Sequence, residues 1–254
     1  MVIAMKNIPN IAAVIPAAGL GRRMGSEQNK IRLNLNGEPV IGHTLRTFVA
    51  TAVVGMIVLA VNAAEKQYFE EYLQSEWPAE ARQRIALTIG GKERQDSVYQ
   101  GLLYLRGWDG WSGGVGRRLV VIHDAARALL TRAILEASIA AGWEYGAVGV
   151  AVPVKDTIKQ IDAAGFVAGT PERATLRAIQ TPQVFDFETI LACHERVRMS
   201  GGCFSDDCGV VEACGKRVKL IAGSYENLKI TTPEDLWLAE TILRRRADAD
   251  RARV

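Results

Sequence analysis

An α/β fold with a doubly wound, mainly parallel, Rossmann-like sheet is predicted by three observations. Apolar runs rich in Val and Ile alternate strictly with amphipathic stretches, a glycine-rich turn follows the first run directly, and the polar motifs gather where later runs end. Strand and helix in strict alternation imply right-handed crossovers between parallel strands. Ligands of such sheets sit at the carboxyl ends of the strands. The predicted strands are residues 11–15, 56–61, 85–89, 118–122 and 147–152, and the predicted helices between and around them are 40–50, 63–73, 95–105 and 132–142. A further helix begins at Pro233: Thr232 can cap it, proline suits its first position, and Glu234 and Asp235 complement its positive end. From Arg244 onward the chain reads as a solvated, frayed end.

Between residues 153 and 183 the alternation breaks. Lys155-Asp-Thr-Ile-Lys159 and Thr175-Leu-Arg-Ala-Ile-Gln180 flank a stretch rich in Gly, Pro and Ala, which predicts an antiparallel hairpin or arm. Such an arm cannot bury both faces alone, so it is expected to pack on a second subunit. The chain is therefore read as one domain over residues 1–254 with an arm inserted at about 155–180, forming a homodimer.

With 254 residues and 48% hydrophobic content, the chain can bury a full core. Its longest apolar stretches, 53–61 and 145–154, fall short of the roughly 20 residues a spanning helix needs, so no membrane span is expected. Residues 1–14 carry a single lysine, Lys6, and run into the glycine-rich turn without a cleavage-type boundary. A cytoplasmic protein is the expectation. A formal charge of +3 without a dense basic stripe and interleaved aromatics gives no argument for nucleic acid. Cys193, Cys203, Cys208 and Cys214 lie beside His194, but their spacings of 10, 5 and 6 contain no C-x-x-C pair. Reduced, packed thiols are the reading adopted.

The chemistry concentrates in Pro16-Ala-Ala-Gly-Leu-Gly-Arg-Arg-Met-Gly-Ser-Glu-Gln-Asn-Lys30. Ala17, Ala18, Gly19 and Gly21 lack bulk, so the backbone can approach a ligand and aim N–H groups at phosphate oxygens. Arg22, Arg23 and Lys30 add fixed charge suited to stabilising charge that develops at phosphorus. A dinucleotide fingerprint fits less well, because Gly25 comes one residue late for G-x-G-x-x-G, and no G-x-x-x-x-G-K-[ST] occurs. Gly90-Gly-Lys-Glu-Arg-Gln-Asp-Ser97 follows the third strand and can offer backbone groups to a base edge, or Asp96 can simply cap the next helix. In His123-Asp-Ala-Ala-Arg127, Asp124 can hold magnesium or a ribose hydroxyl, or pair structurally with Arg127. Lys229 lies in Asn227-Leu-Lys-Ile-Thr-Thr-Pro-Glu-Asp235, read as the end of a strand at a helix start; Asp206, Asp207 and Glu212 read as surface charge.

Taken in order, Pro-Ala-Ala-Gly-Leu-Gly-Arg-Arg-Met, Gly-Gly-Lys-Glu-Arg-Gln-Asp-Ser-Val, His-Asp-Ala-Ala-Arg, Pro-Val-Lys-Asp-Thr-Ile-Lys, Gln-Thr-Pro-Gln and Asn-Leu-Lys-Ile-Thr-Thr-Pro-Glu-Asp-Leu resemble the 2-C-methyl-D-erythritol 4-phosphate cytidylyltransferases of the non-mevalonate isoprenoid route. The resemblance runs from Pro16 to Glu240. It implies transfer of CMP from CTP to methylerythritol phosphate, with release of pyrophosphate and a requirement for Mg2+. By motif position, Arg23 and Lys30 would stabilise the transition state, and Ala17, Ala18, Gly19, Gly91, Ser97 and Ala125 would line the nucleotide pocket. Asp124, Thr157, Arg173 and Lys229 would hold the methylerythritol phosphate, with Thr157 and Arg173 reaching in from the partner subunit's arm. The metal would be held mainly by the triphosphate, with Asp124 as a candidate ligand. One segment departs from the family pattern: Asn29-Lys-Ile-Arg-Leu33 stands where Pro-Lys-Gln-Tyr-Leu is common. Lys30 is kept, but Asn does not fix φ as Pro does, and Arg32 is expected to add a charge near the triphosphate. The residues alone leave open a cytidylyltransferase for ribitol 5-phosphate or another polyol phosphate, a non-catalytic nucleotide-sensing module, and a dinucleotide-dependent oxidoreductase.

Overall fold

The computed structural model describes residues 10–19, 29–111 and 116–251. The first strand, β1 (Ile11–Pro16), is buried over residues 11–15 and lies inside a seven-stranded sheet. After a short ladder of β2 (Asn34–Leu35) and β3 (Glu38–Pro39) come α1 (Val40–Ala50), β4 (Met56–Val61), α2 (Lys66–Glu76), the single turn α3 (Ala79–Arg82), β5 (Ile85–Ile89) and α4 (Arg94–Arg106). The second half holds β6 (Leu119–Ile122), α5 (Arg132–Tyr145), β7 (Ala147–Pro153), the hairpin strands β8 (Gln160–Ile161) and β9 (Val167–Gly169), β10 (Arg177–Asp186), α6 (Phe187–Met199), α7 (Asp207–Ala213), β11 (Lys219–Ala222) and α8 (Pro233–Arg251).

The sheet order is β11-β7-β10-β6-β1-β4-β5. Val14 of β1 is in register with Val58 of β4 on one side and Ile122 of β6 on the other, both parallel. Only β10 runs antiparallel to its neighbours, β6 and β7. Successive residues of a strand face opposite sides of the sheet. Accordingly Ile11, Ala13 and Ile15 join the core beneath α1, α2 and α5, whereas Ala12 and Val14 join the core beneath α4 and α6. Gly101 of α4 lies where a Cβ would collide with the methyls of Val14, so this helix can pack tightly on β1 only because position 101 has no side chain. A third, smaller cluster of Leu35, Val40, Leu129, Ile230, Ala239 and Ile242 seats α8.

The sequence reading is corrected in four places. The helix expected over 63–73 starts with a 3-10 turn, Ala63–Glu65, because the Asn62 side chain accepts from Ala64 N and caps a tight turn before α2 begins. Residues 155–159 form no strand: the arm's hairpin is made by β8 and β9, while 177–180, the end of the second predicted segment, opens β10 in the central sheet. Residues 227–232 form no strand either. That segment is held by cross-links to other loops, with Ile230 N donating to Ala126 O at 2.9 Å. The described residues from Arg244 onward are helical, not frayed. α8 continues to Arg251, and Arg246 anchors it on Glu226 (2.8 Å) and on Leu129 O (3.0 Å).

Candidate active site

The carboxyl ends of β1, β5 and β6 open into one cleft. Its walls are Ala17, Ala18 and Gly19 after β1, the 3-10 turn carrying Lys30, residues 91–94 and Ser97 at the start of α4, residues 124–126 after β6, and Lys229. All six residues expected to line a nucleotide pocket, Ala17, Ala18, Gly19, Gly91, Ser97 and Ala125, are therefore brought together, with Lys30, Asp124 and Lys229 beside them. Arg23 lies outside the described residues, as do Arg22 and Gly21. Thr157 and Arg173 do not line this cleft. Both are exposed on the arm, where Arg173 Nη1 donates to Lys155 O at 2.9 Å.

The two nucleotide-side loops meet closely. A Cβ built on Gly90 would lie 2.7 Å from both Ala18 Cβ and Ser97 Oγ, so a glycine is required where these loops cross. Ser97 Oγ accepts from Gly91 N (3.1 Å) and donates to Glu93 O (3.2 Å), which shapes the loop from inside. Glu93 and Asp96 form a reciprocal capping box on α4. The remaining N-terminal amides and the helix dipole direct positive potential toward the cleft.

Asp124 is almost completely buried, and both of its carboxylate oxygens face cations. Oδ1 accepts from Arg94 Nε at 2.8 Å, and Oδ2 lies 3.0 Å from Lys229 Nζ and 3.5 Å from Arg127 Nε. Burial alone would raise its pKa, but Arg94, Lys229 and Arg127 outweigh it and hold the carboxyl well below the usual carboxylate range. Arg94 also reaches Asp207 with Nη1 at 2.7 Å, and Asp207 accepts from His194 Nε2 at 3.1 Å. Asp207, read in the sequence as surface charge, is 1% exposed. The floor of the cleft is thus a buried ladder of alternating charge.

Fit to magnesium is poor at Asp124, because a divalent ion would have to displace the cations already on its oxygens. Among the described residues no cluster of three His, Cys, Asp or Glu side chains stands ready to hold a metal.

His123 shows how the loop after β6 is fixed. Asp124 N donates to Thr181 Oγ1 (3.0 Å), which lies 3.0 Å from His123 Nδ1, while His123 Nε2 donates to Arg127 O (3.2 Å). Burial pushes the imidazole pKa down to about 4, so it stays neutral and completes this chain of hydrogen bonds. Thr181 reaches this position because the β10 register shifts between Gln180 and Gln183. The two glutamines have separate tasks: Gln180 Nε2 donates to Ser224 O (2.9 Å), and Gln183 Oε1 accepts from the backbone of Asp207 and Cys208. Asn227, fully buried, donates to Thr181 O (2.8 Å), and its own carbonyl accepts from Arg127. Lys229 is carried to Asp124 by this cross-linked segment.

Residues 11–245 match the profile of a family described as IspD, 2-C-methyl-D-erythritol 4-phosphate cytidylyltransferase. The chain belongs to this family. A 2-C-methyl-D-erythritol 4-phosphate cytidylyltransferase of Desulforamulus reducens is 44% identical over 237 residues, covering 93% of this chain and 97% of the relative. One from Pelotomaculum thermopropionicum is 44% identical over 236 residues, covering 93% and 95%. Among solved structures, the 4-diphosphocytidyl-2C-methyl-D-erythritol synthase of Anaerococcus prevotii superposes with a TM-score of 0.78 at 30% identity, covering 92% of this chain and 98% of that one. As a member of the IspD family the chain is a nucleotidyltransferase, a CTP-dependent cytidylyltransferase acting on 2-C-methyl-D-erythritol 4-phosphate in isoprenoid biosynthesis.

The site residues that sequence reasoning missed are Arg94, Asp207 and Thr181. Arg94 stood inside a quoted motif without a role, and its partner Asp207 is 113 positions away, a separation over which no local pattern carries information. The expected charge of Arg32 near the triphosphate is also corrected: its guanidinium pairs with Glu65 and lies 3.7 Å from the Tyr68 ring centroid.

Proposed function

We propose that the cleft works by charge placement and in-line geometry, without a covalent enzyme intermediate. The small-residue turn at 17–19 and the start of α4 receive the CTP base and phosphates. A phosphate oxygen of methylerythritol phosphate attacks the α-phosphorus, the new P–O bond forms as the bond to the bridging oxygen breaks, and pyrophosphate leaves. Lys30 and Arg23 neutralise the charge that accumulates on the α-phosphate oxygens. Asp124 anchors Lys229, which meets the phosphate of the second substrate. Magnesium, when it takes part, arrives on the triphosphate; no step is assigned to a protein-bound metal.

The observation that carries this reading is the joining of an uncluttered turn, a helix N-terminus, Lys30 and the Asp124 cation cluster in one cleft. The homodimer is supported by the arm, whose Ile161, Phe166 and Val167 are 67%, 72% and 61% exposed. Thr157 and Arg173 on this arm would complete the partner's substrate site. A cytoplasmic setting is supported by four free cysteines, two of them buried; among the described residues no helix is long and apolar enough to cross a membrane.

The test is product formation from CTP with methylerythritol phosphate and with ribitol 5-phosphate. Faster turnover with the former is expected, and a preference for ribitol 5-phosphate would reassign the substrate. Lys30→Ala is expected to lower kcat by about two to three orders of magnitude. Unchanged kcat would remove Lys30 from the mechanism.

A further inference from the structure

Lys30 is carried on a three-residue 3-10 turn rather than on a strand or a long helix. A compact polar cluster fixes that turn from behind. Asn29 is 4% exposed, and its Oδ1 accepts from Ile31 N at 3.3 Å. Its Nδ2 donates to Glu65 Oε2 at 2.7 Å and lies 3.5 Å from Ala17 O, the first residue of the opposite wall. The other oxygen of Glu65 accepts from Arg32 Nη1 at 3.4 Å, and the Arg32 guanidinium stacks on Tyr68. Glu65 thus grips the residues on both sides of Lys30. It is itself held at the end of the capped 3-10 turn between β4 and α2.

We propose that Glu65 is a positioning residue for Lys30, which it fixes against the nucleotide turn through Asn29 and Arg32. The inference rests on the assignment of Lys30 as the group that neutralises the α-phosphate. A 1 Å misplacement of such a group lowers rate by up to about a hundredfold, so a grip of this kind controls kcat more than substrate binding. Asn29 has φ −59°, within the range proline fixes, so a proline at position 29 supplies by covalent constraint what the side-chain cluster supplies by hydrogen bonds.

The experiment is steady-state kinetics on the full-length protein, with circular dichroism melts confirming that each variant folds. Glu65→Ala is expected to lower kcat by about ten- to a hundredfold with less than about threefold change in KM for CTP. Asn29→Ala, which removes the other half of the grip, is expected to do the same and serves if Glu65→Ala does not fold. Glu65→Gln keeps an acceptor for Asn29 and is expected to recover most of the loss; adding Asn29→Pro to Glu65→Ala is expected to recover kcat as well. In a Lys30→Ala background, Glu65→Ala is expected to cause no further fall. Full kcat in both single variants, or an equal fall with and without Lys30, overturns the proposal. Full kcat in Lys30→Ala alone would instead overturn the assignment on which it rests.

Discussion

Replacing Arg94 with methionine removes the one guanidinium that bridges Asp124 and Asp207 while keeping much of its apolar stem. The two carboxylates are affected unequally. Asp124 keeps Lys229 and Arg127, but Asp207, 1% exposed, keeps only His194 among the described residues. Charges about 4 Å apart at an effective dielectric of about 20 attract by about 4 kcal/mol, and removing one member of a buried pair costs about 3–5 kcal/mol because a charge is left uncompensated. Arg94→Met is therefore expected to lower unfolding free energy by about 3–5 kcal/mol at pH 7, measured by urea denaturation followed by circular dichroism. Asp207→Asn in the same chain removes the stranded charge and is expected to restore at least half of the loss. The pH dependence follows by linkage. In the parent, Arg94 and His194 outweigh burial and hold the Asp207 pKa down, so its pairing stabilises above the ordinary carboxylate range and fades as pH falls. In Arg94→Met, burial raises that pKa above the unfolded value, so the deficit is largest at neutral pH and shrinks on acidification. A loss under about 1 kcal/mol, or additive losses in the double variant, would refute the reasoning.

Three further expectations are open to direct measurement. Gly101→Ala drives a methyl into Val14 and is expected to destabilise by about 1–3 kcal/mol in the same assay, and an unchanged midpoint would show that α4 can move away from β1. The His123 imidazole, followed by NMR, is expected to be neutral at pH 6 and to titrate near 4; its depressed pKa contributes up to roughly 3 kcal/mol above about pH 6.5, lost as pH falls toward 4, and a midpoint near 6.5 would contradict its burial. Phe166→Asp on the exposed arm is expected to shift sedimentation from dimer to monomer and to reduce turnover, whereas an unchanged sedimentation coefficient would remove the arm as the dimer contact.

The sheet was readable because its strands are short Val- and Ile-rich runs and its helices carry an apolar stripe, both local properties. Helix 40–50 and strands 56–61 and 85–89 match the structure residue for residue. The arm was less readable: residues 155–159 have strand-like side chains but no neighbouring strand to pair with. Within the site, Gly91, Ser97, Asp124 and Ala125 were legible because each follows a strand at a short, fixed distance. Lys229 does line the cleft, but it arrives on cross-linked coil and not at the strand end read from the sequence. Asp207 looked like solvated charge because nothing near it in the sequence shows that Arg94 will meet it in the interior.

The dependence of Lys229 on its docked segment has a consequence for the chain as it leaves the ribosome. Synthesis proceeds from the amino terminus, so Asp124, Arg94 and the nucleotide-side turn can assemble before Asn227 has inserted beneath Thr181 and Ile230 has bonded to Ala126. Until then the floor of the cleft lacks the Lys229 ammonium, and Arg94 and Arg127 only balance Asp124 and Asp207. The site is therefore complete only once stretches of the polypeptide a hundred residues apart have found one another.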